Sequence, residues 1–231
     1  MATVILARHG RSTANSEGVL AGRLPGVGLD EVGRHQARDA AVRLAGVPLV
    51  SVVTSPLPRT KQTARLLVDG HPTAPPLTVD RALIECDYGE WQGERLSVLR
   101  RRRLWRTVQQ QPSAVTFPGG ESLAAMQHRA VAAVRRIDAG VADLHGPSAV
   151  WLAVSHGDLI GTILADALGM HLDLYQRISV GPGSLSIIRY DAERPSVLGM
   201  NTHAGDLSWL SPPTKRRSRA RSTLGGAAAP G

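Results

Sequence analysis

Two histidines in this chain sit in matching settings. Arg8-His9-Gly10 follows the apolar run Thr3–Ala7, and Ser155-His156-Gly157 follows Ala149–Val154. A third polar cluster, Thr54-Ser55-Pro56, closes the run that starts at Leu49, and Arg59 lies one helical turn beyond it. Arginine forks match phosphate oxygens bidentately and keep their charge. A histidine beside them can attack phosphorus. The reaction then needs positioning, charge stabilisation and a proton donor for the leaving oxygen. Glu85, just after the stretch Leu77–Leu83, is the candidate donor, with Asp87, Glu90 and Asp158 as nearby rivals. One histidine at a strand end is ordinarily capped or solvated. Two in matching motifs, with Arg59 at a helix start where a cation is poorly placed unless an anion sits there too, point to a phosphate site.

The elements that must gather these clusters are legible from periodicity. Thr3–Ala7, Leu49–Thr54 and Ala149–Val154 read as buried strands, Leu77–Val79 as a short strand, and Ser184–Tyr190 and Val197–Thr202 as late ones. A Gly-rich loop runs through Gly18, Gly22, Gly26 and Gly28. Asp30 caps a helix to about Ala45 with Val32, Ala37, Ala40, Ala41 and Leu44 as its apolar stripe. Further helices are predicted over Pro58–Val68, Glu121–Leu144 and Asp158–Leu168, the second with Leu123, Met126, Ala130, Val134, Ile137 and Val141 on one face. Glu94–Gln111 is helical in pattern but polar and Arg-rich, which predicts a place outside the main core. Alternating strands and helices predict an α/β fold, three layers around a central, mostly parallel sheet. Ligands of such sheets bind outside the carboxyl ends of the strands, so two histidines and two arginines converge on one edge.

Composition narrows the class. The chain has 231 residues and one cysteine, Cys86, which excludes an internal disulfide framework and a multi-cysteine zinc site. The apolar stretch before Arg8 is too short for a signal-peptide core, and no apolar run reaches the ~20 residues that cross a membrane. The expectation is a soluble cytoplasmic protein with one domain over residues 1–210 and a disordered basic Pro/Arg/Gly/Ala-rich tail over 211–231. Net charge is +8, which first suggests nucleic acid. Lys215, Arg216, Arg217, Arg219 and Arg221 sit in the tail; without it 22 basic residues face 19 acidic ones. Aromatics are only 3%, so a base-stacking surface is poorly supplied and nucleic acid is disfavoured.

The ordered set of motifs resembles the histidine phosphatase superfamily in its phosphoglycerate-mutase-like branch. The carriers are Arg8-His9-Gly10 with Asn15, the helix start Leu29–Ala37, Ser55–Ala64 around Arg59, Glu85–Gly93, Pro118-Gly119-Gly120-Glu121-Ser122 with Arg129, and Ser155-His156-Gly157. The resemblance implies that His9 is the nucleophile and becomes phosphohistidine. It implies that Arg8, Arg59 and His156 surround the phosphoryl group, that Asn15 adds a hydrogen bond to it, and that Glu85 protonates the leaving oxygen. It implies no metal and no cofactor, because arginine and histidine supply the positive charge, and a small phosphorylated substrate as partner. It also implies a helical lid insertion over about 94–117; Arg100–Arg103 read first as a solvated helix face, with contact of one or two of them to an anionic substrate as the alternative.

The implied activity is hydrolysis of small phosphate monoesters. The alternative is a phosphoglycerate-type phosphomutase, which would need 2,3-bisphosphoglycerate as primer. Mutases of this resemblance carry a Trp-Asn pair where this chain has Ala14-Asn15, and a lysine after the position of Gly93 that this chain lacks. An inactive binding module on the same fold is a third reading, opposed by the retained Arg8, His9, Arg59, Glu85 and His156. A homodimer through a sheet edge is compatible with the sequence, but no feature demands one.

Overall fold

A computed structural model describes residues 2–191, 193–205, 207 and 210. The tail from residue 211 and Trp209 lie outside the described residues. Six strands form one sheet: β1 (Thr3–Arg8), β2 (Leu49–Thr54), β3 (Leu77–Val79), β4 (Val150–Ser155), β5 (Leu185–Tyr190) and β6 (Pro195–Thr202), in the order β3-β2-β4-β1-β5-β6. The first four are mutually parallel; β5 runs antiparallel to β1 and to β6. The expected three-layer, mostly parallel architecture is present.

The layers follow from the two-residue period of a strand. Val4 and Leu6 of β1, with Trp151 and Ala153 of β4, belong to one apolar cluster; Ile5 and Ala7, with Leu152 and Val154, belong to the other. The first cluster is covered by α6 (Leu123–His145) and α7 (Gly157–Ala167), the second by α2 (Glu31–Leu44) and α3 (Pro58–Val68). The central strands are therefore apolar on both faces. α7 sits deepest, with Leu159 through Ala165 buried all round, as a helix enclosed by other elements must be. Among the described residues no helix is long and apolar enough to cross a membrane.

Several expectations need correction. Val32 is 42% exposed, so the buried face of α2 is Gly33, Ala37, Ala40 and Leu44. The Gly-rich loop is preceded by an unexpected helix, α1 (Thr13–Glu17), capped by Ser12 in a reciprocal box with Asn15 and ended at Gly18. Glu94–Gln111 is two helices, α4 (Leu96–Leu99) and α5 (Arg103–Gln110), broken at Arg100–Arg102. That segment is not outside the core: Leu99 is fully buried, Val108 is buried, and Leu96, Leu104 and Trp105 pack on the first cluster. Four arginines in succession hid a sparse apolar face. A short 3-10 helix over Leu172–Arg177 had no sequence expectation.

The loop after β1 is pinned against the start of α2 by glycines. A Cβ on Gly10 would lie 2.2 Å from Gly33 O, and a Cβ on Gly33 would lie 2.0 Å from Arg11 O. Neither contact involves a side chain that could swing away. Gly33→Ala is therefore expected to destabilise the fold by roughly 2–4 kcal/mol, read as a lowered urea midpoint. An unchanged midpoint would mean that the backbones part at little cost.

Candidate active site

Parallel register does the gathering. Arg8 pairs with Ser155, and Thr54 pairs with Val154, so β1, β2 and β4 end at one level. His9 N donates to Ser155 O, and Ser55 N donates to Val154 O, which carries the pairing one residue past the strands. His9 and His156 then meet edge to face with ring centroids 5.3 Å apart. Arg59, in the first turn of α3, leans over them. Glu85 arrives from the segment beyond β3. Arg8, His9, Asn15, Arg59 and Glu85 line a cavity of about 330 Å³, together with Ala21, Gly22, Tyr88 and Asp158. His156 is fully buried behind His9.

Hydrogen bonds and burial set the state of each ring. His9 Nδ1 lies 2.7 Å from Gly10 O, an acceptor only, so Nδ1 carries the proton. The bare Nε2 accepts from Arg59 Nε at 3.2 Å. Burial, then the charges of Arg59 and Arg8, hold His9 well below the ordinary histidine range, so it is neutral. His156 is held low by burial and then by Arg59, His9 and Arg8. Its Nε2 is 2.7 Å from Ser55 Oγ, which itself accepts from Leu57 N. One hydrogen bond joins Ser55 Oγ to His156 Nε2, and His156 Nδ1 is left without a protein partner.

The guanidiniums are tethered but not saturated. Arg8 Nη1 donates to Val180 O, and Arg59 Nη2 donates to Gly22 O at 2.8 Å. Arg8 Nε, Arg59 Nη1 and His156 Nδ1 are buried without a hydrogen-bond partner. Two unpaired buried guanidinium donors in a site with a bare imidazole nitrogen are costly unless an anion with several acceptor oxygens completes them. Asn15 spends its side-chain oxygen on Ser12 N and Oγ, so its NH2 group is what it can offer the cavity.

Of the four carboxylates weighed as proton donors, Glu85 and Asp158 line the cavity. Glu90 is exposed, and Asp87 is engaged with Arg23, Gln92 and Gly89 N. Glu85 is 8% exposed, and burial, reinforced by Asp158, raises its pKa to about 7 against the opposing pull of Cys86 N–H, Arg59 and Arg8. Arg100–Arg103 are exposed and none lines the cavity, which favours the solvated reading of that run. Cys86 is fully buried, and burial raises its thiol pKa far out of the reactive range. Among the described residues no group of three or more His, Cys, Asp or Glu side chains could hold a metal ion.

Known proteins carry the same frame. The family model for the histidine phosphatase superfamily (branch 1) matches residues 4–203. The chain belongs to that superfamily. Bifunctional protein Rv2228c of Mycobacterium tuberculosis is 32% identical over 212 residues, 88% of this chain and 54% of that protein, so this chain spans about half the relative's length. A protein of Enterobacter sp. named probable phosphoglycerate mutase GpmB is 31% identical over 92% of this chain and 97% of its own. The solved structure of a mycobacterial glucosyl-3-phosphoglycerate phosphatase, Rv2419c, in complex with VO3 superposes with a TM-score of 0.76 at 25% identity, covering 86% of this chain and 98% of that one.

In this member of the histidine phosphatase superfamily a second ring of charges holds Glu85 by its backbone. Arg23 Nε and Arg129 Nη2 both donate to Glu85 O, at 2.9 and 3.1 Å. Glu121 ties the two arginines together, taking Arg23 Nη2 at 2.9 Å and Arg129 Nη2 at 2.6 Å. The motif around Glu121 and Arg129 was visible in sequence, but Arg23, in a Gly-rich loop with no periodic signal, was not. Nor were the two carbonyls, Gly22 O and Val180 O, that anchor Arg59 and Arg8.

The raised pKa of Glu85 has a stability signature. From pH 4.5 to about 7 the native state keeps a proton that the unfolded chain releases, so this residue's contribution to stability falls as pH rises through that window. Glu85→Gln removes the burden. The melting temperature of the variant should exceed that of wild type by a margin that widens from about pH 4.5 to 7 and then levels. A margin constant with pH would show that Glu85 is not held protonated.

Proposed function

We propose that this protein is a phosphatase that hydrolyses small phosphate monoesters through a phosphohistidine at His9. The observation that carries the reading is the pair of partnerless buried guanidinium donors, Arg8 Nε and Arg59 Nη1, in the same site as the unprotonated His9 Nε2. A phosphoryl group has the charge and the oxygens to complete them.

In the first step His9 Nε2 attacks phosphorus and the bond to the leaving oxygen breaks. The Glu85 proton passes to that oxygen, releasing the alcohol and leaving Glu85 as carboxylate. Arg59 Nε exchanges its long contact with His9 for a phosphoryl oxygen. Arg8, Arg59 and His156 carry the equatorial charge, and Asn15 adds a donor. The Nδ1–H bond to Gly10 O steadies the ring while it bears the phosphoryl group. In the second step Glu85 takes a proton from water, hydroxide attacks phosphorus, the N–P bond breaks, and phosphate leaves. No step requires a cation beyond those the chain supplies.

The likeness to GpmB supports a mutase as the second reading. It would use the same phosphohistidine but return the phosphoryl group to a second substrate oxygen while excluding water. Against it stand Ala14 before Asn15, the stretch just after Gly93 without the lysine that mutases present there, and, among the described residues, Arg8 and Arg59 as the only arginines lining the cavity.

Incubation with phosphate monoesters should release phosphate and leave an acid-labile phosphohistidine trapped on the wild type. His9→Ala should lose on the order of 10⁴-fold in kcat or more; turnover at the wild-type rate would sink the mechanism. Vanadate should inhibit competitively. Glu85→Gln should slow esters of poor leaving groups by roughly 10²–10⁴-fold and p-nitrophenyl phosphate far less, since a good leaving group needs little proton donation. With 3-phosphoglycerate, isomerisation primed by 2,3-bisphosphoglycerate and faster than phosphate release would reverse the ranking of the two readings.

A further inference from the structure

The phosphate cavity does not end at the phosphate. A second cavity of about 190 Å³ opens beside it, and Leu20, Tyr88, Leu96, Asp158, Tyr175 and Gln176 line both. The far walls of the second space are Trp91, Trp105, Val108 and Phe117. These walls are held firmly. Trp91 stacks on Trp105 with centroids 6.2 Å apart, and Phe117 meets Trp91 and Tyr88 edge to face at 5.3 and 5.0 Å. The segment 94–117 supplies Leu96, Trp105, Val108 and Phe117, so the part of the chain least constrained by the catalytic motifs builds this space.

Its charges are as informative as its apolar walls. Among the described residues Arg8 and Arg59 are the only arginines or lysines lining either cavity. Both are committed to the phosphoryl group under the phosphatase reading. The charged side chain at the junction is Asp158, which accepts the Tyr88 hydroxyl. A carboxylate on the alcohol half of a substrate would meet no cation there and would face Asp158, at a cost. An uncharged ring would meet aromatic faces and lose water-exposed apolar area.

Resting on the phosphatase reading, we infer that this second cavity is the leaving-group subsite, and that the preferred substrates are phosphate monoesters of alcohols carrying an uncharged apolar or aromatic ring, not of carboxylate-bearing acids such as phosphoglycerate. Leu96 and Tyr88 stand where the two halves of such an ester join. The junction's hydrogen-bonding groups, Gln176 and the Tyr88–Asp158 pair, would suit a hydroxyl or amino substituent on the ring.

The test compares kcat/KM for 2-phenylethyl phosphate, propyl phosphate and 3-phosphoglycerate, all unactivated alcohols, so leaving-group chemistry does not dominate. Wild type should prefer 2-phenylethyl phosphate to propyl phosphate by roughly tenfold or more, and 3-phosphoglycerate should be the poorest of the three. Trp105→Ala should collapse the ratio between the first two. That ratio is read on one preparation and does not depend on how much of the variant folds. Equal turnover of all three esters, preference for 3-phosphoglycerate, or a ratio untouched in Trp105→Ala would overturn the subsite and leave the phosphatase standing. No turnover of any ester would overturn the phosphatase reading itself, and the subsite with it.

Discussion

Two guanidinium groups, one buried and one half-buried, share the end of a parallel sheet with two neutral imidazoles, and most of the surrounding structure answers to that. Withdrawing such charge from water is expensive, and neither imidazole offsets it. The loops that cross the strand ends are shaped to offer carbonyls. Val180 O reaches Arg8 and Gly22 O reaches Arg59, each from a segment far away in the chain. Tethers at some nitrogens leave others aimed and free. A site that is rigid, positive and incomplete is prepared for an anion before one arrives, which is the condition for stabilising charge without reorganisation.

Glu85 is poised by the opposite means. Burial and Asp158 outweigh Arg59 and Arg8 and keep its carboxyl toward the neutral form, while its backbone carbonyl is gripped by Arg23 and Arg129, which Glu121 ties together. The two kinds of titratable group, imidazole and carboxyl, are thus pushed toward each other's usual range, so that a bare imidazole nitrogen and a protonated carboxyl coexist near neutral pH.

The cavity divides by chemistry. The strand ends furnish the charged half through residues whose positions the sheet dictates. The segment between β3 and α6 furnishes much of the apolar half through residues whose positions no strand dictates. On the proposed reading substrate choice falls to that second half, so a likeness in overall fold says little about the leaving group.

Much was legible in the sequence. Strand runs, the Asp30 cap, the Pro58 helix start and the two histidine motifs are local patterns, and local patterns survive folding when the core is continuous on both sheet faces. Strand-end position alone brought Arg8, His9, Arg59 and His156 together, because parallel strands of matched register deliver their ends to one place. The misses have a common cause. Val32 faces solvent while its neighbour Gly33 is the residue packed against the loop after β1, and the arginine run concealed Leu99 and Val108 because a sparse apolar face is enough when neighbours complete it. Arg23, Gly22 O, Val180 O and the aromatic wall depend on contacts between distant segments, with no periodic trace. The sequence alone settled which groups meet; only the tertiary structure decided their protonation, their tethers and the shape beside them, because those depend on what is buried against what.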